Sequence, residues 1–429
     1  MNFFYNNKLL NNLNINVVLL LKFFLLTLPI SFILGNAIVN INCFIIILLF
    51  FYIYFSNKSL NSDYKVLILV FLFFFILLLI NIFFSNYKYE SSKSTLGIFR
   101  YFIVMLAFLY CFENDKKFFN LFSKLLFFIL LFVSFDTLIQ FFFGKDIFGI
   151  EILGGHGNRL SGPFGNELIV GSYLTKLFFF SLIFIIDQNK KFYFICYLLF
   201  ILAVTILTKE RMTSIMFIFS VLVYLFFSSE FNFKEKAITI FIFLILTFSI
   251  FTFNKGVRDH FISHTFDQIG ITQKNIVKNE SAHYSFWDSQ WGAHFLTAYN
   301  IFLDNPVFGA GIQSFGAECH KKKYENIKSA EKKKRCSTHP HNLYFEILSE
   351  TGIIIFLPFL ILNLFIFFKL IKIYFFEKKN RNLILIVFCS FIVMFFPFQT
   401  TGSFFSTWNG FYYWLVYSFI AFTIRKKFT

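Results

Sequence analysis

The chain is a succession of apolar runs, each about 17 to 25 residues long, separated by mostly short polar connections. A helix of that length crosses the hydrocarbon core of a bilayer. Charged residues make up only 14% of the 429 residues, well below the roughly one quarter typical of soluble domains. The sequence therefore predicts an all-α polytopic membrane protein with about twelve transmembrane helices, at 15–34, 38–55, 64–84, 95–113, 118–143, 167–187, 191–208, 211–228, 236–253, 352–375, 382–399 and 407–424.

The basic residues predict the orientation of these helices. If the N-terminus is cytoplasmic, every inside connection contains lysine or arginine, as the positive-inside rule requires. We therefore expect a bacterial inner-membrane protein with both termini in the cytoplasm. The net charge of +16 is explained by these clusters, so we expect no nucleic-acid partner. The clusters are Lys58 and Lys65, Lys116 and Lys117, Lys190 and Lys191, Lys234 and Lys236, Lys378 to Arg381, and Arg425 to Lys427.

Two connections on the opposite face are long. The first covers 144–166, and the second, a large and partly helical periplasmic loop, covers 254–351 between helices 9 and 10. These boundaries divide the chain into 1–253, 254–351 and 352–429. All eight histidines fall in the two external loops, so any histidine chemistry is expected on the periplasmic side. They are His156, His260, His264, His283, His294, His320, His339 and His341.

His341 stands out from the other histidines by its setting. It lies where a polar loop turns into an apolar helix, and Asn342 is placed to cap that helix. A neutral imidazole with a pKa near 6.5 can accept a proton from a sugar hydroxyl at such a membrane surface. The other histidines are consistent with solvated or structural roles.

Three arginines are predicted on the same face as His341. Arg211 stands in a very short connection between two spans, Arg258 follows the ninth span, and Arg159 lies in the glycine-rich segment 154–165. Arg211 alone could be a snorkelling interfacial cation. Together the three suit a diphosphate, which arginine binds with paired donors. The glycine-rich segment lacks the strand context of a nucleotide-binding turn.

Several polar residues fall within or at the outer ends of the predicted spans. Asp136 and Gln140 are four residues apart, on one helical face, and Arg100 and Lys176 lie in other spans. Because ionisable groups are expensive inside a membrane, we expect these residues to line a polar cavity or to pair with each other.

Two of the six cysteines, Cys319 and Cys336, share the large external loop. Disulfides persist outside the cytoplasm, which favours a bridge between them. A metal site with His320, His339 or His341 is the alternative, but the spacing matches no established zinc pattern. We therefore expect no metal.

Taken together, several segments resemble the O-antigen ligase and O-antigen polymerase family. The resemblance covers most of the chain and rests on the order of these pieces relative to the spans. The pieces are Asp146-Ile-Phe-Gly149, Arg159-Leu-Ser-Gly-Pro-Phe-Gly-Asn-Glu167, Leu207-Thr-Lys-Glu-Arg-Met212, Asp304-Asn-Pro-Val-Phe-Gly-Ala-Gly311, His339-Pro-His-Asn-Leu343 and Glu350-Thr-Gly352.

This resemblance implies an inverting membrane glycosyltransferase of the C type that uses an undecaprenyl-diphosphate-linked glycan and no metal or other cofactor. His341 matches the family's proposed base. Arg211 matches its short-loop arginine, Arg258 matches a second arginine by position alone, and Arg159 is a further candidate for the diphosphate. His339, Asn342 and Glu350 are expected to support the site. Glu167 stands where many relatives place Pro or Asn, which leaves the substrate open.

Three functions remain open from the sequence. The leading hypothesis is a ligase that transfers a glycan to a lipid A-core or similar acceptor at the periplasmic face. A polymerase that joins lipid-linked repeat units uses the same donor chemistry. A transporter or flippase is the alternative of another class, but it should show interrupted helices in an internal repeat, and no such repeat is visible.

Overall fold

The computed structural model of the protein describes residues 2–56, 63–154, 157–186, 190–269, 285–378 and 380–426, with side chains from residue 15 onward. His156, His283 and Lys58 lie outside the described residues, as does Lys379. The described part is helical and contains no β-strand longer than an isolated bridge. This agrees with the predicted all-α class.

The helices follow one another along the chain with short connections, except after α5 and between α9 and α14. They are α1 (Asn2–Leu34), α2 (Asn36–Ser56), α3 (Lys65–Phe84), α4 (Lys88–Asn114), α5 (Lys116–Phe143), α6 (Val170–Ile186), α7 (Lys191–Leu207), α8 (Arg211–Phe227), α9 (Phe233–Phe253), α10 (Lys255–Arg258), α11 (His264–Ile269), α12 (Gln290–Asp304), α13 (Phe315–Glu318), α14 (Leu343–Phe376), α15 (Arg381–Phe395) and α16 (Thr407–Lys426).

Seven helices in the described part are long and apolar enough to cross a membrane, namely α1 to α5, α9 and α14. The helices α6, α7, α8 and α15 are also apolar but have only 15 to 17 residues. The structure thus supports a polytopic membrane protein, while the number of twelve spans stays a prediction.

The bundle is packed on aromatic side chains. Helix α4 lies at its centre against α16, and α5 packs on α6. Phe71 of α3 stacks on Phe102 of α4 with ring centroids 3.8 Å apart. In contrast, α9 leaves large apolar side chains uncovered, among them Phe248, which is 72% exposed. A helix with such an uncovered apolar surface is suited to a lipid-facing position.

One end of the bundle collects the connections that the sequence places in the cytoplasm. A cavity of about 910 Å³ opens there and is lined by the ends of several helices, including Glu113, Lys116, Glu230, Arg381 and Arg425. The connections after α2, α4, α6, α8 and α14 therefore lie on one side, as an alternating topology requires. Which side is cytoplasmic remains the prediction of the positive-inside rule.

Helix α14 is divided by a kink at Gly352. Its φ of +66° is unfavourable for other residues, and a Cβ there would lie 2.3 Å from the carbonyl oxygen of Val307. The predicted span beginning at 352 thus coincides with the segment after the kink. The first arm, from Leu343 to Thr351, is an additional helix that the hydropathy pattern did not separate from the loop.

The four polar residues that the sequence singled out in the spans do not pair with one another in the described part of the chain. Arg100 donates to Asn40 of α2 instead, and Lys176 donates to Asn409 of α16. Asp136 accepts a hydrogen bond from the backbone N–H of Ile147, and Gln140 accepts from the N–H groups of Ser161 and Gly162. Both side chains therefore attach the external loop 144–166 to the end of α5. These buried side chains accept hydrogen bonds from backbone N–H groups of the loop that would otherwise lack partners.

Candidate active site

The His341 loop is held between α14 and the segment that precedes α16. Asn342 caps α14 by accepting hydrogen bonds from the N–H groups of Tyr344 and Phe345, and its amide donates to the carbonyls of Pro397 and Gln399. The N–H of Thr401 donates to the carbonyl of His341 over 2.8 Å. The segment 397–401 therefore fixes the loop from one side.

The backbone of His341 adopts a left-handed conformation with φ of +58°, which asparagine, aspartate and histidine tolerate better than most residues. The Ser337 hydroxyl lies 2.9 Å from Nε2 of His341. When that hydroxyl accepts a hydrogen bond from Nε2–H, Nδ1 carries the free lone pair. Ser337 can thereby select the tautomer of the proposed base.

Three histidines and one tryptophan form a cluster at this position. The ring of His341 is 4.1 Å from that of His339 and 5.2 Å from that of His294, measured between centroids. Trp291 meets His341 edge-on at 5.3 Å. We call these four residues the histidine cluster. Residues His294 and Trp291 lie on one turn of α12, and their role was not predicted from the sequence.

Burial keeps the cluster neutral. It lowers the pKa of His341 to about 3, with a further contribution from the neighbouring His339 and His294. Burial also lowers the pKa of His294 to about 4 and lowers that of His339. Desolvation disfavours the charged imidazolium. These imidazoles are therefore uncharged at neutral pH, and each ring keeps one nitrogen lone pair that can accept a proton.

The short connection between α7 and α8 places Arg211. Glu210, which is buried, accepts hydrogen bonds from the N–H groups of Gly171 and Ser172 at the start of α6. A carboxylate at a helix N-terminus is stabilised by the exposed N–H groups and the helix dipole. Burial nevertheless raises the pKa of Glu210. The connection is thus tied to α6, and Arg211 starts α8 facing the external loop.

Arg211 is linked to the histidine cluster through one glutamine. Its guanidinium donates to the Thr265 hydroxyl and to Oε1 of Gln268, both over 2.8 Å. The indole N–H of Trp291 donates to the same Gln268 oxygen over 3.4 Å. Trp291 contacts His341, so a single row of contacts connects the arginine with the proposed base.

Arg159 and Lys209 join Arg211 around His260. Arg159 donates to the carbonyl of Leu168, and Lys209 donates to the carbonyl of Gly157. Burial, together with the nearby charges of Arg211, Arg159 and Lys209, lowers the pKa of His260 to about 4. We call Arg159, Lys209 and Arg211 the basic cluster. It supplies three cations beside a neutral imidazole.

The third predicted arginine is placed differently. Arg258 ends α10, immediately before a π-helical turn at Asp259–Ser263, and its Nε lies 3.8 Å from the carboxylate of Asp259. Within the described part of the chain, the contacts of Arg258 connect it to Asp259 and not to the basic cluster. Its assignment to the diphosphate therefore stays a prediction.

Glu350, which the sequence predicts as a supporting residue, lies on the first arm of α14. Its buried carboxylate accepts hydrogen bonds from the N–H groups of Gln313 and Phe315. One turn earlier, Glu346 accepts from the N–H of Phe404, and this second carboxylate was not singled out by the sequence. The two side chains attach α14 to loops on both sides, so their role in the structure is to position backbone.

Cys319 and Cys336 form a disulfide, with Cα atoms 5.4 Å apart. Among the described residues, the side chains close enough to share a metal ion are these two cysteines and His320. Sulfur atoms bonded to each other offer no thiolate, so this group does not suit a metal while the disulfide is intact.

Residues 196–360 match the family model described as O-antigen ligase. The resemblance drawn from the sequence is confirmed. The matched segment includes Arg211, Arg258, His341 and Glu350 but begins after Arg159. Over these residues the chain is therefore similar to O-antigen ligases. No curated protein sequence matches the chain.

Proposed function

We propose that this protein is an O-antigen ligase-type glycosyltransferase. It transfers a glycan from undecaprenyl diphosphate to a hydroxyl of a lipid A-core or similar acceptor at the periplasmic face. The observation that carries the proposal is the connection of two groups through Gln268 and Trp291. One group is a neutral imidazole at His341 and the other is the basic cluster around Arg211. The match of residues 196–360 to the O-antigen ligase model supports a lipid-linked glycan as the donor.

The chemistry requires both groups. The acceptor oxygen forms a bond to the anomeric carbon while the bond from that carbon to the diphosphate oxygen breaks. The hydroxyl proton passes to His341, and the electron pair of the broken bond leaves with the diphosphate. A single displacement of this kind inverts the anomeric carbon. Arg211 and Arg159 stabilise the negative charge that develops on the leaving group.

Arg211 retains donors for this task. A guanidinium has five N–H groups, and in the structure Thr265 and Gln268 each accept from one of its terminal nitrogens. The remaining N–H groups are available for phosphate oxygens. Arg159 contributes an Nε–H that lacks a hydrogen-bond partner among the described residues.

Donor binding should also activate the base. A pKa of about 3 keeps His341 neutral at physiological pH, but such an imidazole is a weak proton acceptor. The negative charge of a bound diphosphate raises the pKa of a nearby imidazole. The donor thereby makes His341 a stronger base only when a substrate is present to use it.

The proposal is tested by deleting the gene in its host and restoring wild type, His341→Asn, Arg211→Gln or His320→Asn. Asparagine tolerates the left-handed backbone at 341, and the exposed His320 is the matched control. Unmodified acceptor together with accumulated long lipid-linked chains indicates a ligase. Acceptor carrying a single repeat unit indicates a polymerase. Full restoration by His341→Asn would exclude the role given to this residue.

A further inference from the structure

The segment closed by the disulfide carries a strong positive charge. Residues 321–335 contain seven lysines and one arginine but only two glutamates. We call this segment the cationic lobe. A charge run of this kind is usually a solvated surface. Whether the lobe can bind a ligand therefore depends on whether its backbone is held in place and on which of its lysines are paired with carboxylates.

The lobe is fixed to the rest of the external domain. Besides the disulfide, Tyr324 is buried and its hydroxyl donates to the carboxylate of Asp304 over 2.8 Å. Arg335 donates to the carbonyl of Cys319, and the N–H of Glu331 donates to the carbonyl of Asp288. The lobe is therefore held in place at its ends, in its middle and by one buried side chain.

The carboxylates near the lobe are neutralised by its inner lysines. The fully buried Glu318 pairs with Lys321 at 2.6 Å, and Asp304 pairs with Lys323 at 2.7 Å. Glu331 lies 3.4 Å from Lys334. This leaves an outer surface of four exposed lysines that make no ion pair with any described residue, with Glu325 as its only exposed acid. The four are Lys322, Lys328, Lys332 and Lys333.

The cationic lobe and Arg211 are connected to His341 through different residues. Cys336 is followed directly by Ser337, whose hydroxyl lies 2.9 Å from the His341 ring, and the turn Lys332–Lys334 packs against α12, the helix that carries His294. Arg211 reaches the same ring through Gln268 and Trp291. Two separate groups of cations are therefore connected to the proposed base, namely the basic cluster and the cationic lobe. The donor diphosphate explains the presence of the basic cluster but not that of the lobe.

We propose that the cationic lobe binds the acceptor saccharide through phosphate or carboxylate groups on that saccharide. This inference rests on the function proposed above, because it takes His341 as the base that deprotonates the acceptor. Lysines held on a fixed lobe attract a polyanion over about one Debye length, which is roughly 10 Å at 0.1 M salt. They concentrate an anionic acceptor beside His341 without contacting the reacting atoms.

The test replaces the four outer lysines together by glutamine, with the same four positions changed to arginine as the control that keeps the charge. Each protein is placed in nanodiscs of zwitterionic lipid. Its binding to a fluorescent oligogalacturonate is compared with its binding to a maltodextrin of equal length. Four exposed contacts worth a few tenths of a kcal/mol each predict about a tenfold weaker binding of oligogalacturonate by the glutamine variant at low salt. The arginine variant should bind as wild type does.

Three outcomes decide against the lobe. Equal oligogalacturonate binding by the glutamine variant overturns the proposal, and so does equal binding of the neutral maltodextrin by wild type. Weaker association of the glutamine variant than of wild type with vesicles of anionic lipid, with oligogalacturonate binding equal in the two proteins, would assign the lysines to lipid headgroups instead. Failure of the proposed function is seen in a different measurement. If the His341→Asn variant still transfers glycan, His341 is not the base, and this result does not depend on whether the lobe binds the saccharide.

Discussion

Replacing Asn342 by alanine should disrupt the site without touching its proposed chemistry. The side chain is 3% exposed and makes four hydrogen bonds, two as the cap of α14 and two to the carbonyls of Pro397 and Gln399. Loss of an N-cap costs about 0.5–2 kcal/mol. The buried Gln399 carbonyl adds about 1 kcal/mol when it loses its donor, whereas the carbonyl of the exposed Pro397 can bind water instead. The expected loss of stability is therefore roughly 1.5–3 kcal/mol.

The same substitution should lower activity more than the stability loss explains. The segment 397–401 holds the carbonyl of His341 and the ring of His339 through Thr401, so releasing it frees the proposed base to move. Asn342→Asp is the matched variant, because aspartate keeps the cap but loses both donors to the carbonyls. We expect both variants to transfer glycan slowly, and alanine to lower the unfolding midpoint further.

The measurement is glycan transfer in nanodiscs at a temperature where each variant is folded, together with thermal unfolding followed by tryptophan fluorescence. If Asn342→Ala unfolds at the wild-type temperature and transfers at the wild-type rate, the four hydrogen bonds do not position the loop. If Asn342→Asp alone is fully active, the helix cap matters and the bonds to 397–399 do not.

Other consequences follow from single features. Arg211→Lys keeps the charge but loses the paired donors, so the KM for the lipid-linked donor should rise about tenfold or more, measured with kcat on the same preparation. The pKa of about 3 for His341 predicts that kcat/KM is lost only as pH falls through that low value, while kcat falls at a higher pH because the diphosphate raises the pKa. Cys319→Ser removes a disulfide between residues 17 apart. The free energy of unfolding should fall by about 3 kcal/mol in a chain-entropy estimate. A reducing agent should lower the thermal unfolding midpoint of wild type to a similar extent and leave that of the variant unchanged. Gly352→Ala should prevent folded protein from accumulating, because its Cβ would meet the Val307 carbonyl at 2.3 Å, as an expression test in membranes will show.

The apolar runs predicted the helices well because bilayer thickness fixes their length. The cap at Asn342 was also predictable, since its signal lies within a few adjacent residues. Helix ends were less so: α15 ends at Phe395, before Pro397, rather than at 399. The capping box of Asn232 and Glu235 starts α9 at Phe233, three residues before the predicted start.

Contacts between distant segments could not be predicted in the same way. Trp291 and His294 are three residues apart on α12, a spacing that places them on one helical face, but nothing local indicates that His341 lies against that face. Gln268 is an ordinary polar residue in sequence, and only the fold places it between Arg211 and Trp291. The arginine at 258 shows the reverse case, because its position along the chain suggested a role that its contacts do not support directly.

The most direct test of the account uses purified protein in nanodiscs with an undecaprenyl-diphosphate-linked glycan and a hydroxyl acceptor. Donor binding and the rate of a single turnover are measured for wild type, His341→Asn and Arg211→Gln. Loss of a general base predicts a rate lower by about 10²–10⁴ for His341→Asn with donor affinity retained, whereas Arg211→Gln should bind the donor more weakly. Transfer by His341→Asn at the wild-type rate would contradict the assignment of His341 as the base.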